Sequence, residues 1–279
     1  MGKISDALEK YKSEKFVDIE SFREAPPPEP VPVPLKAYEP EVRLARKIGT
    51  QNKFSENLVM LSAPDSSDAE NFKILRGQIL FPRDGEVPHC ILVTSAYPHE
   101  GKTFVASNFA ATLALSVDEH VLLIDADMRR ASVHRLFGFN NVRGLHDYLI
   151  GEKALDELEV KTGIEKLSVL PAGRTPRNPS ELLSSNMMAR FLQEVREQQK
   201  DRFIIIDAPP SGITAEAKFL SKYVDGIIFV VMAQKTPRKD IAKAIEDLGR
   251  DKVLGIVFNG YDEIRRGHYK YYEKYYKNK

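Results

Sequence analysis

The chain has 279 residues, of which 42% are hydrophobic and 29% charged, and its formal net charge at pH 7 is +1. This length accommodates one domain with extensions, and the composition predicts a globular protein that is soluble in water. Such a small net charge excludes an overall electrostatic field that would draw the chain to nucleic acid, so we expect no nucleic-acid partner.

Two further features bear on the compartment in which the protein works. The N-terminus has no apolar secretory core, and no stretch reaches the ~18 consecutive apolar residues of a membrane-spanning helix. The single cysteine, Cys90, cannot form a disulfide within the chain, and its apolar neighbours predict a buried core thiol. We therefore predict a cytoplasmic protein, whose association with the inner face of the membrane would come through a partner.

The two ends of the chain differ in composition from its middle. Residues 3–16 have apolar side chains at helical spacing and predict a short charged helix. Residues 25–40 contain repeated prolines, which favour an extended linker, so we expect residues 1–50 to form an arm that is either a plain tether or a docking element. The folded domain is predicted over 51–260, followed by a basic, tyrosine-rich tail over 261–279.

Helical and strand patterns alternate within the predicted domain. A first helix is predicted over Ser67–Phe81, with Ser66 or Ser67 as its N-cap. Further helices are predicted at 102–116, 187–198, 214–222 and 237–249. Apolar runs rich in β-branched residues predict strands at Cys90–Ser95, Val121–Asp125, Leu167–Leu170, Phe203–Asp207, Gly226–Met232 and Val253–Asn259.

The last helix has the clearest signals. Thr236 is predicted as its N-cap and Pro237 as its first residue, and its apolar stripe consists of Ile241, Ala244, Ile245 and Leu248. Continuous apolar strands with helices between them predict an α/β fold with a mostly parallel central sheet, flanked by helices on both faces. Ligands of such sheets lie beyond the carboxyl ends of the strands.

A phosphate-binding loop directly follows the first strand. Residues 96–103 read AYPHEGKT, which is G-x-x-x-x-G-K-[ST] with Ala96 in place of the first glycine. Backbone N–H groups that lead into a helix N-terminus bind phosphates, while Lys102 would reach the β- and γ-phosphates and Thr103 would bind Mg²⁺. We therefore predict ATP and Mg²⁺ as cofactors, with nucleotide contacts from Ala96, Pro98, Glu100, Gly101, Lys102, Thr103 and Phe104.

Aspartates end two other predicted strands. Asp125 and Asp127 follow the second strand, and Asp207 ends the strand Phe203–Asp207. An aspartate in this position lies where Mg²⁺ and phosphate meet, and Asp207 suits the Walker B role of holding the metal. A turn-capping aspartate is the alternative for each of them.

These motifs together resemble the bacterial tyrosine kinases of capsule and exopolysaccharide synthesis, the BY-kinases. The resemblance extends from about Leu58 to the C-terminus and rests on Ser95–Thr103, Val121–Arg130, Asn178–Leu183, Phe203–Pro210 and the tyrosine-rich end. It implies a P-loop NTPase fold of the MinD/ParA type.

The resemblance also implies roles for individual residues. Lys102, Asp125 and Asp127 would be catalytic, and one of the two aspartates would accept the tyrosine proton. Thr103, Asp125 and Asp207 would hold Mg²⁺. Asn259 would contact adenine, although a turn asparagine is an equal alternative.

The family further implies partners and an assembly. The expected partners are a membrane polysaccharide co-polymerase (a chain-length regulator), which activates the kinase as a separate chain, and a counteracting tyrosine phosphatase. A homo-oligomer is expected through Glu70, Lys73 and Arg76, where Lys73 replaces the family's middle arginine and loses its bidentate geometry. Glu216 stands where the family often has aspartate, with either a metal-binding or a structural role.

Five of the eleven tyrosines fall in the last eleven residues, among lysines. We expect them to be phosphoacceptors for a neighbouring subunit, so the chain would be a tyrosine autokinase that regulates polysaccharide polymerisation and export. A tail that binds single-stranded nucleic acid or a membrane is the alternative for this segment. The five expected phosphoacceptors are Tyr269, Tyr271, Tyr272, Tyr275 and Tyr276.

Two alternatives concern the whole protein. One is a MinD/ParA-like ATPase, although the signature lysine of those proteins is replaced by Tyr97 here. The other is an ATP-binding scaffold without kinase activity.

Overall fold

The computed structural model describes residues 54–261, apart from residue 117 and residues 199–201. The predicted arm, with its helix and proline-rich linker, and the five tail tyrosines lie outside the described residues. None of the helices in the described part of the chain has the length and hydropathy needed to span a bilayer.

Seven strands of the described chain form one sheet in the order β3-β4-β2-β5-β1-β6-β7. All neighbours are parallel except β3, which is a short antiparallel strand at the edge beside β4. The strands are β1 (Cys90–Ser95), β2 (His120–Asp125), β3 (Val160–Lys161), β4 (Leu167–Leu170), β5 (Arg202–Asp207), β6 (Gly226–Met232) and β7 (Val253–Asn259).

Helices connect the parallel strands and cover the sheet. The α-helices are α1 (Val59–Ser62), α2 (Ser67–Leu80), α3 (Lys102–Ala114), α4 (Val133–Phe137), α5 (Leu145–Leu149), α6 (Leu155–Leu158), α7 (Pro179–Leu183), α8 (Asn186–Gln198), α9 (Glu216–Leu220) and α10 (Arg238–Leu248). Two 3₁₀ helices, Ser221–Tyr223 and Arg250–Lys252, follow α9 and α10.

The core consists of two apolar layers, one on each face of the sheet. Alternate side chains of β1 divide between them: Leu92 packs in the layer shared with α5 to α10, and Val93 in the layer shared with α1 to α4. Helix α3 lies between the sheet and α2, and is buried over nearly its whole circumference. The predicted α/β fold with helices on both faces is therefore confirmed.

The predicted elements agree with the structure in most positions. Four strands have the predicted bounds, and β2 and β5 begin one residue earlier. Ser66 is the N-cap of α2, because its Oγ accepts a hydrogen bond from the N–H of Ala69 at 3.2 Å. The stripe of α10 packs against the core as predicted.

The start of α10 and several short elements were not predicted correctly. Pro237, and not Thr236, is the N-cap, and the helix begins at Arg238. The Thr236 hydroxyl instead donates a hydrogen bond to Glu100, which lies in the phosphate-binding loop. Strand β3 and helices α4 to α7 are two to five residues long, too short for a periodic pattern to identify.

Strand β7 forms the edge of the sheet opposite β3. Its side chains Leu254, Ile256 and Phe258 are 44%, 40% and 62% exposed, and the strand contains no charged residue. Edge strands usually carry charges or bulges that prevent pairing with other chains. Within the described residues, this apolar edge has no strand beside it.

Candidate active site

The loops that follow β1, β2 and β5 meet at the carboxyl edge of the sheet. Asp125 and Asp207 are register partners on β2 and β5, and Val93 of β1 is the register partner of Asp207 on its other side. These central strands are buried on both faces, so the site has a rigid base. The sheet therefore brings together three chain segments that the motifs singled out separately.

The phosphate-binding loop has the backbone geometry that its motif requires. Gly101 is the N-cap of α3 and has φ = 90°, in the left-handed region that glycine tolerates. A Cβ atom at this position would lie 1.9 Å from Nδ2 of Asn259. Ala96, at the position of the first glycine, is buried, and its carbonyl accepts the N–H of Gly212 at 3.1 Å.

The carboxylate of Glu100 holds this loop through hydrogen bonds that were not predicted from the sequence. It is buried, and Oε2 accepts the N–H of Tyr97 at 2.7 Å. Oε1 accepts the N–H of Met232 at 3.3 Å and the hydroxyl of Thr236. Glu100 was predicted only as a nucleotide contact within the loop, whereas its carboxylate ties the loop to the connection between β6 and α10.

Thr103 and Asp207 are in direct contact. The Thr103 hydroxyl donates to Oδ2 of Asp207 at 2.6 Å and accepts from Ser132 Oγ at 3.0 Å. The other oxygen of Asp207, Oδ1, is buried without a hydrogen-bond partner in the described residues. Burial raises the pKa of Asp207 to about 7, although Lys102 and the Thr103 hydroxyl oppose the rise.

Asp125 is engaged with backbone groups through both of its oxygens. Oδ2 accepts the N–H groups of Ser132 and Val133, at 3.0 and 3.1 Å, and Oδ1 accepts the N–H of Asp127 at 3.2 Å. Asp125 therefore orders the loop after β2 and the start of α4. Burial, followed by the negative charge of Asp207, raises its pKa well above the usual range.

Lys102 stands against these buried carboxylates. Its Nζ lies 3.8 Å from Oδ2 of Asp127, and both side chains are almost fully buried. One lysine thus belongs to a cluster with three aspartates, Asp125, Asp127 and Asp207, which act on one another electrostatically. Because buried charges require compensation, the cluster has a deficit of positive charge.

This deficit and the unpartnered oxygen of Asp207 fit a divalent cation. Mg²⁺ usually takes one or two carboxylates and completes its coordination with phosphates and water. Accordingly, no group of three or more His, Cys, Asp or Glu side chains in the described chain is arranged to hold a metal alone. Thr103 and Asp207 are the residues whose contacts suit Mg²⁺ best, while Asp125 has its oxygens filled by N–H groups.

The remaining predicted nucleotide contacts surround the loop. Pro98 and Phe104 lie at its beginning and in the first turn of α3. The Asn259 amide donates from Nδ2 to the carbonyl of Glu100 at 2.9 Å. Since Nδ2 is engaged in this way, Oδ1 is the atom of Asn259 that remains for an adenine amino group.

The predicted oligomer residues lie on α2. Glu70 and Lys73 form an exposed ion pair at 3.2 Å, and Lys73 also reaches the carbonyl of Pro64. Arg76 donates from Nη1 to the carbonyl of Thr112 at 3.1 Å, so it holds α2 on α3. All three residues therefore have contacts within the chain, and Glu70 is the most exposed of them, while Lys73 and Arg76 are half-buried.

A second network that sequence reasoning missed lies beside the carboxylates. Glu216 is fully buried, and its Oε1 accepts hydrogen bonds from Arg129 Nε at 3.1 Å and Ser180 Oγ at 2.8 Å. Arg129 also donates from Nη2 to Ser180 Oγ at 2.9 Å. Burial acts to raise the pKa of Glu216, but hydrogen bonds outweigh it and lower the pKa. Glu216 thus joins the loop after β2 to the N-terminal ends of α7 and α9.

A surface cleft of about 650 Å³ lies elsewhere, between α8 and the Ser221–Tyr223 helix. It is lined by Arg190, Arg196 and Asp225 among others, and the last two form an ion pair at 2.7 Å. None of the residues at the carboxyl edge lines it, so the cleft is separate from the candidate active site.

The fold and site define a P-loop NTPase. The family model for ParA, described as NUBPL iron-transfer P-loop NTPase, matches residues 86–265. The septum site-determining protein MinD of Pyrococcus horikoshii, solved with Mg-ADP, has a similar fold, with a TM-score of 0.51 and 24% identity over 63% of this chain and 72% of that one.

Relatives with higher identity are bacterial tyrosine kinases. Tyrosine-protein kinase YwqD of Bacillus subtilis is 32% identical over 79% of this chain and 93% of the relative. Tyrosine-protein kinase ptk of Acinetobacter johnsonii is 32% identical over 77% of this chain, which spans 29% of that longer protein. Among solved structures, the chimerical protein CapA2B2 has a TM-score of 0.69 and 30% identity, covering 75% of this chain and 92% of that one. The chain belongs to the BY-kinase family and is a protein-tyrosine kinase.

Proposed function

We propose that this kinase transfers the γ-phosphoryl group of ATP, with Mg²⁺, to tail tyrosines of a neighbouring subunit, and that this regulates exopolysaccharide polymerisation and export. The observation that carries the proposal is the buried cluster beside the phosphate-binding loop, in which Lys102 faces Asp127 at 3.8 Å and the Thr103 hydroxyl donates to Asp207 at 2.6 Å. The acceptor residues in this proposal are Tyr269, Tyr271, Tyr272, Tyr275 and Tyr276.

Each residue of the cluster has a distinct role in the proposed reaction. Lys102 leaves Asp127 and contacts the β- and γ-phosphate oxygens, and the loop's N–H groups hold the same phosphates. Thr103 and Asp207 would hold Mg²⁺, while Asp125 orders the loop after β2 beside them. When bound, Mg²⁺ would neutralise negative charge that develops on the phosphates.

Asp127 is the better candidate for the carboxylate that accepts the tyrosine proton. Its Oδ2 faces Lys102 at 3.8 Å, whereas Asp125 is saturated by three backbone N–H groups. Phosphoryl transfer has a loose transition state, so positioning and charge stabilisation contribute more than base strength. Asp127 would therefore orient the phenol as well as take its proton.

Regulation follows from the charge that the tail acquires. Each phosphoryl group adds about −1.5 to −2 charges at pH 7, so several of them invert the sign of a lysine-rich segment. We propose that this reversal releases the tail from the neighbouring subunit and loosens a homo-oligomer formed through Glu70, Lys73 and Arg76. A tyrosine phosphatase would restore the starting state.

A membrane polysaccharide co-polymerase is the proposed activator, which would also bring the kinase to the inner face of the membrane. The support is indirect: one similar solved structure is the chimera CapA2B2, and a relative of Klebsiella pneumoniae is named for the cps region.

The test incubates the purified full chain with MgATP, alone and with the cytoplasmic part of its co-polymerase, and maps phosphotyrosine by mass spectrometry. We expect tail phosphate in the wild type and none in Lys102→Met. The matched control is Lys153→Met, which removes a half-buried lysine that pairs with Glu157 and should leave the reaction unchanged. Mixing Lys102→Met with an active chain that ends at Gly267 tests transfer between subunits. ATP hydrolysis without phosphotyrosine under both conditions would favour the scaffold or ATPase.

A further inference from the structure

Two consecutive arginines, Arg129 and Arg130, lie in the loop after Asp127, and their side chains have different partners. Arg129 contacts the buried carboxylate of Glu216 and the hydroxyl of Ser180, as described above. A buried carboxylate partner compensates its charge and fixes its side chain. The side chain of Arg129 is therefore held by the network that joins α7 and α9.

Arg130, by contrast, has no ion-pair partner among the residues that the structure describes. Its side chain is exposed, and Nη1 lies 2.9 Å from Nε2 of His99. A guanidinium group only donates hydrogen bonds, so Nε2 of His99 is the acceptor in this contact. The positive charge of Arg130 is thus held in place without being neutralised.

The position of this charge is set at both ends of the residue. The backbone N–H of Arg130 donates to Oδ1 of Asp127 at 3.2 Å, and the side chain reaches His99 in the middle of the phosphate-binding loop. His99 has φ = 64°, one of two non-glycine residues in the left-handed region within the described chain. Backbone conformations of this kind concentrate at functional sites, where the surrounding structure maintains them.

We propose that Arg130 is an arginine finger supplied by the kinase itself, a catalytic residue that donates hydrogen bonds to the γ-phosphoryl oxygens as they gain charge. His99 is a positioning residue that holds the guanidinium over the loop. The inference rests on the proposed transfer from ATP. In that step the tyrosine oxygen forms its bond to the γ-phosphorus while the bond to the β–γ bridging oxygen breaks. The phenol proton goes to Asp127, ADP leaves, and Arg130 keeps all its protons.

A preorganised donor of this type acts mainly on the transition state, and its removal typically costs about 10²- to 10³-fold in kcat. Arg130→Lys keeps the charge but loses the planar fork that matches phosphoryl oxygens. We therefore expect Arg130→Lys to lower kcat by roughly this factor while KM for ATP changes by less than about threefold. An interaction made only in the transition state has this signature.

A binding measurement tests the inference without turnover. The probes are MgADP and MgADP with aluminium fluoride, a mimic of the transferred phosphoryl group, titrated by calorimetry into the full chain. Arg130→Lys and Arg130→Ala should bind MgADP as the wild type does, yet bind the aluminium fluoride complex about 10²-fold more weakly. His99→Gly should also weaken binding of the aluminium fluoride complex. Combined with Arg130→Ala it should cause little further loss of affinity, because both substitutions remove the same contact between Arg130 and His99.

Arg174→Lys is the matched control, since Arg174 is an exposed arginine whose partners, Asp147 and Glu152, are both acidic. It should bind both probes as the wild type does, and thermal unfolding of every variant should match the wild type. Equal losses for both probes, or no loss for either, in Arg130→Lys would overturn the inference. The inference would also be overturned if the wild type bound the aluminium fluoride complex no more tightly than MgADP. If the wild type forms no phosphotyrosine but the selective loss is observed, the proposed tail reaction fails and the arginine finger stands.

Discussion

Asp125 and Asp207 are each the last residue of their strand and lie side by side in the register of β2 and β5. Backbone pairing, rather than a loop conformation, therefore fixes the distance between two buried carboxylates. The candidate site contains both buried carboxyl groups before any ligand arrives, and the first prediction follows from their burial.

The folded protein without Mg²⁺ should lose stability as pH rises from about 4 to above 7. The pKa of Asp207 is about 7 in the folded state against an ordinary value of 3.8, and that of Asp125 moves in the same direction. The folded state therefore binds more protons than the unfolded state in this window, so the free energy of unfolding falls with rising pH. Asp207→Asn should remove a large part of this fall, on the order of 1 to 4 kcal/mol.

Urea unfolding between pH 5 and pH 8, with and without Mg²⁺, measures the effect. Mg²⁺ should stabilise the wild type most at pH 8 and have little effect on Asp207→Asn, because the cation replaces the missing positive charge. Asp156→Asn, at an exposed carboxylate, serves as the control. The same pH slope in the wild type and in Asp207→Asn would contradict the prediction.

Gly101→Ala and Gly151→Ala separate backbone strain from close contact. Both glycines have positive φ, 90° and 77°, so alanine is strained at either position by about 1 to 2 kcal/mol. Only at Gly101 does the added Cβ meet another atom, Nδ2 of Asn259 at 1.9 Å, while nothing lies within 4 Å at Gly151. We expect Gly101→Ala to be the more destabilised protein and to lose binding of a fluorescent ATP analogue.

Gly151→Ala should keep nucleotide binding, and Asn259→Ala combined with Gly101→Ala should recover part of the stability that the contact costs. The comparison uses urea unfolding and fluorescence titration of all three proteins. Equal destabilisation by the two glycine substitutions would show that the contact with Asn259 does not constrain the loop.

Glu100→Gln should lower the free energy of unfolding, although the glutamine side chain has nearly the same size. The carboxylate accepts the N–H of Tyr97, the N–H of Met232 and the hydroxyl of Thr236, and an amide group places a donor against one of these donors. A buried unsatisfied donor costs about 1 to 3 kcal/mol. Nucleotide affinity should fall as well, since the loop loses its support.

Thermal unfolding and nucleotide titration check this outcome. Thr236→Val removes one partner and should have a smaller effect in the same direction. Glu152→Gln changes an exposed glutamate and should leave both measurements at wild-type values. Wild-type stability and nucleotide affinity in Glu100→Gln would refute the supporting role.

Cys90 should resist alkylation in the native protein. The thiol is buried, and burial raises its pKa to about 12, so very little reactive thiolate exists at pH 8. Iodoacetamide should modify it only at the rate at which the domain unfolds, and at once in strong urea, which is the internal control. Native labelling at the rate of a small free thiol would contradict the buried position.

The sequence predicted the fold and part of the site because the relevant signals are local. Strands such as β6 are continuous apolar runs, and the loop that ends in Lys102 and Thr103 is a contiguous motif. The contacts of Glu100 with Thr236 and of Arg130 with His99 were not predictable, since they join residues 136 and 31 positions apart. Asp125 illustrates the same limit: its position was predicted, but its three N–H partners depend on how the loop after β2 folds back.

The hydrogen bond from Asn259 to the Glu100 carbonyl connects the end of β7 to the phosphate-binding loop. Asn259 is the last residue of β7, and Gly260 alone separates it from residue 261, where the predicted tail begins. The chain thus leaves the sheet at a residue that is hydrogen-bonded to the phosphate-binding loop. A displacement of the end of β7 would therefore act directly on this loop.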